Sequence, residues 1–135
     1  MPDNTFKILI ADDIGMMRST LRALLAGYGL KNIEEAVNGE DALKRFTVTR
    51  HSLIMLDIDM PKMSGMEVLN EIRKHDHDTY IVMVSAHSSV DNVKQAMAQG
   101  VNAFVVKPYS AKKIEAVLQK FAKDRNISLK EMGNV

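Results

Sequence analysis

The chain has 135 residues, of which 46% are hydrophobic and none is cysteine. This length suits one compact domain with a hydrophobic core and is too short for two. Without cysteine, the chain has no disulfides, no thiolate catalysis and no cysteine-based zinc site. Its formal net charge is +1, so no overall field draws it to nucleic acid or anionic lipid.

Membrane insertion and secretion are not expected. No run approaches the roughly 20 apolar residues that span a bilayer, and the N-terminus lacks a basic patch before an apolar stretch. We therefore expect a soluble cytoplasmic protein. We also expect one domain over residues 1–135, with a core of about residues 5–124 and a short tail at 125–135.

Short aliphatic runs alternate five times with helical patterns along the chain. The predicted strands are Phe6–Ala11, Ile33–Val37, Leu53–Leu56, Tyr80–Ser85 and Ala103–Val106. After the first strand, apolar residues at three- and four-residue spacing predict one buried helical stripe, with Gly27 and Gly29 as stop signals. The stripe contains Ile14, Met17, Leu21, Leu24, Leu25 and Tyr28.

The other helix starts are indicated by capping residues and apolar periodicity. Asn38 with Asp41, and Ser88 with Asp91, have the three-residue spacing of capping boxes. The third helix is predicted from about Met66 and the fifth from about Ser110. Uniformly apolar strands separated by helices favour an α/β fold, a doubly wound parallel sheet covered on both faces.

Polar residues stand where the predicted strands end. Asp12 and Asp13 follow the first strand, Asp57 the third and Lys107 the fifth, and Ser85 ends the fourth. Because ligands bind at the carboxyl ends of parallel strands, we expect these side chains to share one site.

Three clustered carboxylates repel one another, which favours a bound divalent cation with oxygen ligands, such as Mg²⁺. Beside that cation, the Asp57 carboxylate could act as a nucleophile and form an aspartyl phosphate. Lys107 could neutralise phosphoryl oxygens, and the Ser85 hydroxyl could detect the phosphoryl group.

Four motifs together resemble the receiver domain of bacterial response regulators. They are Asp12-Asp13, Met55–Pro61 with Gly65 downstream, Val84-Ser85-Ala86 and Val106–Tyr109. The resemblance covers roughly residues 5–124, and four motifs in the right order are far more specific than any one. It implies a CheY-like, flavodoxin-like fold with five helices and the strand order 2-1-3-4-5.

The resemblance also implies a role for each matching residue. Asp57 would be the phosphoacceptor, and Ser85, Lys107 and Phe104 would bind the phosphoryl group or respond to it. Mg²⁺, or alternatively Mn²⁺, would be bound by Asp13 and Asp57 directly, by Asp12 mainly through water, and by the backbone carbonyl of Asp59. The phosphodonor would be a phosphohistidine on a histidine kinase or a histidine phosphotransfer protein.

Three residues depart from the chemotaxis-type pattern. Phe104 replaces a tyrosine and therefore has no hydroxyl to contact a target. Asp59 would add a fourth carboxylate near the metal, and His87 would face the route of water to the phosphate. We expect Asp59 and His87 to tune the lifetime of the phosphorylated state.

The expected output surface consists of the fourth helix, fifth strand and fifth helix. It contains Lys94, Phe104, Lys112, Lys113 and Lys120. Phe104 is as consistent with a core position as with a switch. The resemblance implies a monomer that binds a protein such as the flagellar motor switch, or alternatively a shuttle that passes phosphate to another histidine.

Other functions fit the sequence less well. A DNA-binding regulator would need a second domain and a basic recognition helix. Leu53–Asp59 resembles the Asp-x-Asp motif of haloacid-dehalogenase-type phosphatases, but in that family the acidic pair follows this motif, whereas Asp12-Asp13 precedes it here. We therefore expect no enzyme beyond catalysis of its own phosphorylation and dephosphorylation. His51, His75 and His77 are predicted to be surface residues.

Overall fold

The computed structural model describes residues 6–86 and 89–126 as alternating strands and helices. The strands are β1 (Ile8–Ala11), β2 (Ile33–Ala36), β3 (Leu53–Asp57), β4 (Tyr80–Ser85) and β5 (Ala103–Val106). The helices are α1 (Gly15–Ala26), α2 (Gly39–Thr49), α3 (Gly65–Arg73), α4 (Val90–Ala98) and α5 (Ala111–Asp124). Within these residues, no helix is long and apolar enough to cross a membrane.

The five strands form one parallel sheet in the order β2-β1-β3-β4-β5, which confirms the predicted fold class. Alternate residues of β1 belong to different apolar clusters: Ile8 and Ile10 to one, Leu9 and Ala11 to the other. The first cluster includes side chains of α1 and α5, and the second includes side chains of α2, α3 and α4. Both faces of the sheet are therefore covered by helices, as mostly apolar strands require, and of the five described strands only the edge strand β2 has partly exposed polar residues, Glu34 and Glu35.

Several element boundaries differ from the sequence prediction. β1 begins at Ile8 rather than at Phe6, and β2 ends at Ala36. β3 extends one residue further than predicted, because Asp57 itself pairs with Val84 of β4. The predicted phosphoacceptor is thus part of the sheet rather than of a loop.

The predicted cap of α2 is confirmed and that of α4 is wrong, while α5, predicted to begin at about Ser110, has Ser110 as its cap. The side chains of Asn38 and Ser110 accept hydrogen bonds from the amides three residues on, at 2.8 and 3.1 Å. The predicted cap Ser88 lies outside the described residues. The cap of α4 is Ser89, whose hydroxyl accepts from the amide of Asn92.

The predicted buried stripe of α1 is wrong at its first residue. Ile14 precedes the helix as its N-cap and is 52% exposed, whereas Leu21 and Leu25 are fully buried. Gly27 ends α1 in a right-handed conformation, and the left-handed turn is made by Gly29, at φ 82°. Seven residues, about two helical turns, separate Ile14 from Leu21, the first fully buried residue of α1.

The surface prediction for His51 is also wrong. The side chain is only 1% exposed, stacks on Phe46, and has Nε2 2.6 Å from Glu34 Oε1. Burial lowers the pKa of His51, although the bond to Glu34 opposes this shift. His75 and His77 are exposed, as predicted. The polar sequence around His51 could not show that Glu34 of the distant strand β2 contacts the imidazole.

The loop between β3 and α3 approaches the backbone of its neighbours closely. A Cβ atom at Gly65 would lie 2.1 Å from the carbonyl oxygen of Asp57, and one at Gly39 would lie 1.9 Å from that of Met63. Real Cβ atoms do not approach backbone this closely, so each position requires glycine. The Gly65 amide also donates to the Ile58 carbonyl at 2.9 Å.

We predict that Gly65→Ala lowers the free energy of unfolding by about 2 kcal/mol or more, because the backbone that follows Asp57 would have to move. Gly15→Ala is the matched control, since its nearest contact would be the Arg18 guanidinium at 3.5 Å. Because Gly15 is the first residue of α1, alanine there should change stability by less than the roughly 0.5–1 kcal/mol gained in a helix interior. Urea denaturation measures both. Equal stability of the two variants would contradict the close approach.

Candidate functional site at the carboxyl edge of the sheet

The polar residues predicted at the strand ends do converge on one edge of the sheet. Asp57 ends β3 and Ser85 ends β4, while Asp12 and Lys107 directly follow β1 and β5. The amide of Lys107 donates to the Ser85 carbonyl at 2.8 Å, which continues the pairing of β4 with β5. Parallel strands place their carboxyl ends at the same edge, so residues far apart in sequence meet there.

Three aspartates form an acidic cluster at this edge. Asp12, Asp13 and Asp57 each offer a carboxylate oxygen, and these oxygens lie within 4.8 Å of one another. Asp12 and Asp57 are buried, whereas Asp13 is exposed. Carboxylate oxygens with one solvent-facing side fit Mg²⁺, a hard cation that keeps several of its waters. The residues present therefore fit the predicted cation.

Lys107 supplies a positive charge within this cluster. Its Nζ atom lies 2.8 Å from Asp12 Oδ2 and 3.5 Å from Asp57 Oδ2. Burial lowers the pKa of Lys107, but the hydrogen bond to Asp12 and the charges of both aspartates outweigh burial, so the net shift is upward. The lysine is therefore charged, yet one ammonium cannot balance three carboxylates.

Burial raises the pKa of Asp57 to about 6, and the charge of Asp12 adds to the rise. The charge of Lys107 and a hydrogen bond from the Asp59 backbone amide oppose it. The repulsion predicted for clustered carboxylates therefore contributes to the raised pKa of Asp57, but burial is the larger cause. A cation at the cluster would favour the ionised, nucleophilic form of Asp57.

Every polar atom of Asp12 has a partner. Oδ1 accepts from the amide of Ile14 at 2.9 Å, and Oδ2 accepts from Lys107. The Asp12 amide donates to the carbonyl of Ala36, and the Asp12 carbonyl accepts from Arg18 Nη1 at 2.8 Å. Arg18 was not predicted from the sequence, because no local pattern shows that a helical arginine reaches back to the preceding loop.

Tyr109 also lies near the cluster and was given no role in the sequence analysis. Burial raises the pKa of its hydroxyl, and the charges of Asp12 and Asp57 add to the shift. Tyr109 packs against the first apolar cluster as a partly buried residue. Tyr109 follows Lys107 and Pro108 in the sequence, which was the only local indication that it lies near the site. Its distance from Lys107 along the chain could not show which way the ring points.

The predicted switch residues occupy adjacent strands. Ser85 is completely buried at the end of β4. Phe104 in β5 is paired with Met83, packs against the second apolar cluster and remains partly exposed. It lines a groove of about 280 Å³ with Val106, Lys113, Ala116 and other residues of β5 and α5. Phe104 therefore contacts the hydrophobic core on one side and the surface groove on the other.

The lysines of the predicted output surface differ in their contacts. Lys94 and Lys112 are exposed on α4 and α5. Lys113 Nζ donates to the carbonyls of Val106 and Pro108, and Lys120 Nζ donates to the carbonyl of Asn102. Of the two residues predicted to tune phosphate lifetime, Asp59 is exposed beside Asp57, and His87 lies outside the described residues.

A doubly wound parallel sheet with an acidic cluster and a lysine at its carboxyl edge defines a receiver-type signalling domain. The chain belongs to the response regulator receiver domain family, whose pattern it matches over residues 8–119. The resemblance noted from the motifs is thereby confirmed. This is a family of two-component signalling proteins rather than of classical enzymes.

Two relatives that this chain matches over nearly their whole length are chemotaxis proteins. CheY of Listeria monocytogenes is 33% identical over 117 residues, covering 87% of this chain and 98% of that protein. CheY of Thermotoga maritima is 31% identical over the same shares.

Solved structures of similar fold include complexes with Mg²⁺ and a beryllium fluoride. One is the CheX-CheY-BeF3-Mg²⁺ complex of Borrelia burgdorferi, with a TM-score of 0.81, 30% identity and 89% coverage of each chain. Another is the response regulator TrrA of Thermotoga maritima with Mg²⁺-BeF, with a TM-score of 0.78 and 34% identity, covering 86% of this chain and 98% of that chain.

We predict that Asp57→Asn stabilises the metal-free protein near neutral pH. A raised folded-state pKa means that the wild-type fold loses stability as pH rises from about 4 through about 6. Asparagine does not titrate, so the advantage of the variant should grow over this window to roughly 2–3 kcal/mol. Denaturant unfolding in a chelator at several pH values measures it. A stability difference that is constant with pH would contradict the raised pKa.

Proposed function

We propose that Asp57 accepts a phosphoryl group and that this modification switches the affinity of the chain for a protein partner. The observation that carries the proposal is the meeting of Asp12, Asp13, Asp57 and Lys107 at one edge of the sheet. The relatives bound to Mg²⁺ and beryllium fluoride support it, because they share this fold with 30% and 34% identity. The proposed functional unit is a single, monomeric receiver domain over residues 1–135.

The proposed donor is a phosphohistidine on a histidine kinase or a histidine phosphotransfer protein. A carboxylate oxygen of Asp57 forms a bond to phosphorus as the phosphorus–nitrogen bond breaks, and the donor imidazole leaves with that electron pair. Lys107 neutralises phosphoryl oxygens while Asp12 holds the lysine in place. When bound by Asp12, Asp13, Asp57 and the Asp59 carbonyl, Mg²⁺, or Mn²⁺, would supply further positive charge.

The proposed switch is a shift between two packings of the α4–β5–α5 surface. Ser85 would donate its hydroxyl to a phosphoryl oxygen, and Phe104 would change its packing in response. Phe104 suits this role because it lies between the second apolar cluster and the surface groove. Couplings of about 1–3 kcal/mol are typical of such switches. Asp59 and His87 are proposed to tune how long the phosphoryl group persists.

The favoured partner is a protein target such as the flagellar motor switch, because the curated relatives are chemotaxis proteins that match this chain over nearly their whole length. A phosphorelay shuttle that returns the phosphoryl group to another histidine is the second candidate. The near-neutral net charge of +1 gives no support to a nucleic-acid target.

The phosphoacceptor is tested by incubating the protein with acetyl phosphate and Mg²⁺ and measuring intact mass. We expect wild type and Asp59→Asn to gain one phosphoryl group, and Asp57→Asn to gain none. Asp59→Asn is the matched control, because it removes a nearby exposed carboxylate and leaves Asp57 in place.

Two results would contradict the proposal. One is stable Mg²⁺-dependent phosphorylation of Asp57→Asn. The other is repeated turnover of p-nitrophenyl phosphate by wild type, which would indicate the phosphatase alternative instead.

The output surface is tested with Lys94→Ala and Lys112→Ala combined, since these lysines are exposed and make no hydrogen bond within the described residues. We predict that the phosphorylated variant binds the motor-switch target about 1 kcal/mol more weakly, roughly a fivefold rise in Kd, with an unchanged rate of phosphorylation. Lys44→Ala on α2 is the control. An unchanged Kd, or an equal loss in the control, would refute the assignment of this surface.

A further inference from the structure

The side chain of Arg18 connects the acidic cluster to strand β2. Its Nη1 atom donates to the backbone carbonyl of Asp12 at 2.8 Å, and its Nε atom donates to Glu35 Oε1 at 2.9 Å. The side chain is only 17% exposed. The planar guanidinium presents its donors in a fixed fork, so the two acceptors together define the position of the group.

The carbonyl that Arg18 binds belongs to the peptide linking Asp12 to Asp13. A peptide is planar, so fixing its carbonyl direction also fixes the direction in which the chain enters Asp13. Within residues 6–86 and 89–126, no group donates a hydrogen bond to the Asp13 carboxylate. Asp13 is therefore positioned through its backbone, whereas Asp12 is also held by Ile14 and Lys107.

Arg22, one helical turn further along α1, makes a parallel set of contacts away from the cluster. Its Nε donates to Glu35 Oε2 at 2.7 Å, and its Nη2 donates to the carbonyl of Ile33 at 2.8 Å. Each arginine thus has one bond to Glu35 and one to a backbone carbonyl. Only the carbonyl bound by Arg18 adjoins the acidic cluster.

We propose that Arg18, oriented by Glu35, is a positioning residue that holds the Asp12–Asp13 peptide so that the Asp13 carboxylate faces the cation site. This inference rests on the proposed Mg²⁺-dependent function of the cluster. Arg18 does not contact the reacting atoms. It acts through the backbone of the residues that bind the cation.

Positioning and simple electrostatics predict opposite results when Arg18 is removed. Arg18 is a cation close to a cation site, so losing its charge should by itself strengthen Mg²⁺ binding. Losing the hydrogen bond to the Asp12 carbonyl should weaken binding, because residues that orient metal ligands typically contribute about 10- to 100-fold to metal affinity. The direction of the change therefore separates the two effects.

The experiment compares wild type, Arg18→Ala and Arg22→Ala by calorimetric titration with Mg²⁺ alone. We expect the Kd for Mg²⁺ to rise about tenfold in Arg18→Ala and to stay near the wild-type value in Arg22→Ala. Unfolding free energies are measured in parallel, since both variants lose one ion pair with Glu35 and one bond to a carbonyl. A general loss of stability would affect both variants.

A second readout uses the metal-free protein. The amide of Ile14 donates to Asp12 Oδ1, so its hydrogen exchange reports how firmly this loop is held. Exchange should accelerate in Arg18→Ala and not in Arg22→Ala. If Arg18→Ala does not fold, Arg18→Lys replaces it. A lysine keeps the charge, but it lacks the planar group that binds both the Asp12 carbonyl and Glu35. The affinity of Arg18→Lys for Mg²⁺ should therefore still fall.

The outcomes distinguish failure of the positioning role of Arg18 from failure of the proposed function. Unchanged or tighter Mg²⁺ binding by Arg18→Ala, or by Arg18→Lys where that variant replaces it, overturns the positioning role. Equal weakening by the Arg22 variant does the same. If wild type itself does not bind Mg²⁺, the proposed function fails and this inference fails with it. Selective weakening in the Arg18 variant, with faster Ile14 exchange, supports both.

Discussion

The contact of Lys107 with Asp12 and Asp57 is the interaction on which the site depends. It joins the ends of β1, β3 and β5 around one ammonium, with distances of 2.8 Å to Asp12 and 3.5 Å to Asp57. Both aspartates are buried, and the positive charge of Lys107 favours the ionised form of Asp57. Removing the lysine would leave buried charges unpaired, which is more damaging than the loss of a surface ion pair.

The same contact leaves the cluster short of positive charge. Three carboxylates face one ammonium, and burial with the charge of Asp12 raises the pKa of Asp57 to about 6. A bound cation would relieve this deficit, and an incoming phosphoryl group would bring new negative charge to the lysine and the cation. The physical basis of the proposed switch is therefore an excess of negative charge in a partly buried site.

Contacts of the backbone hold the carboxylates of the site in position. Gly65 allows α3 to start against the carbonyl of Asp57, and a Cβ atom at that position would lie 2.1 Å from it. On the opposite side, Arg18 binds the Asp12 carbonyl and is itself bound by Glu35 of β2. The loops after β1 and β3 thus rest on contacts with neighbouring backbone as well as on their own side chains. Small displacements there would change the distances among the carboxylates.

The sequence by itself determined the fold class and the main members of the site. Mostly apolar strands alternating with helical patterns favour a parallel sheet, and parallel strands bring Asp12, Asp57, Ser85 and Lys107 to one edge. Local patterns failed where a contact came from a distant element: Glu34 covers His51, and Arg18 reaches the Asp12 carbonyl. Only the tertiary structure decided these, because local periodicity reports which face of an element is buried and cannot report which distant partner lies opposite it.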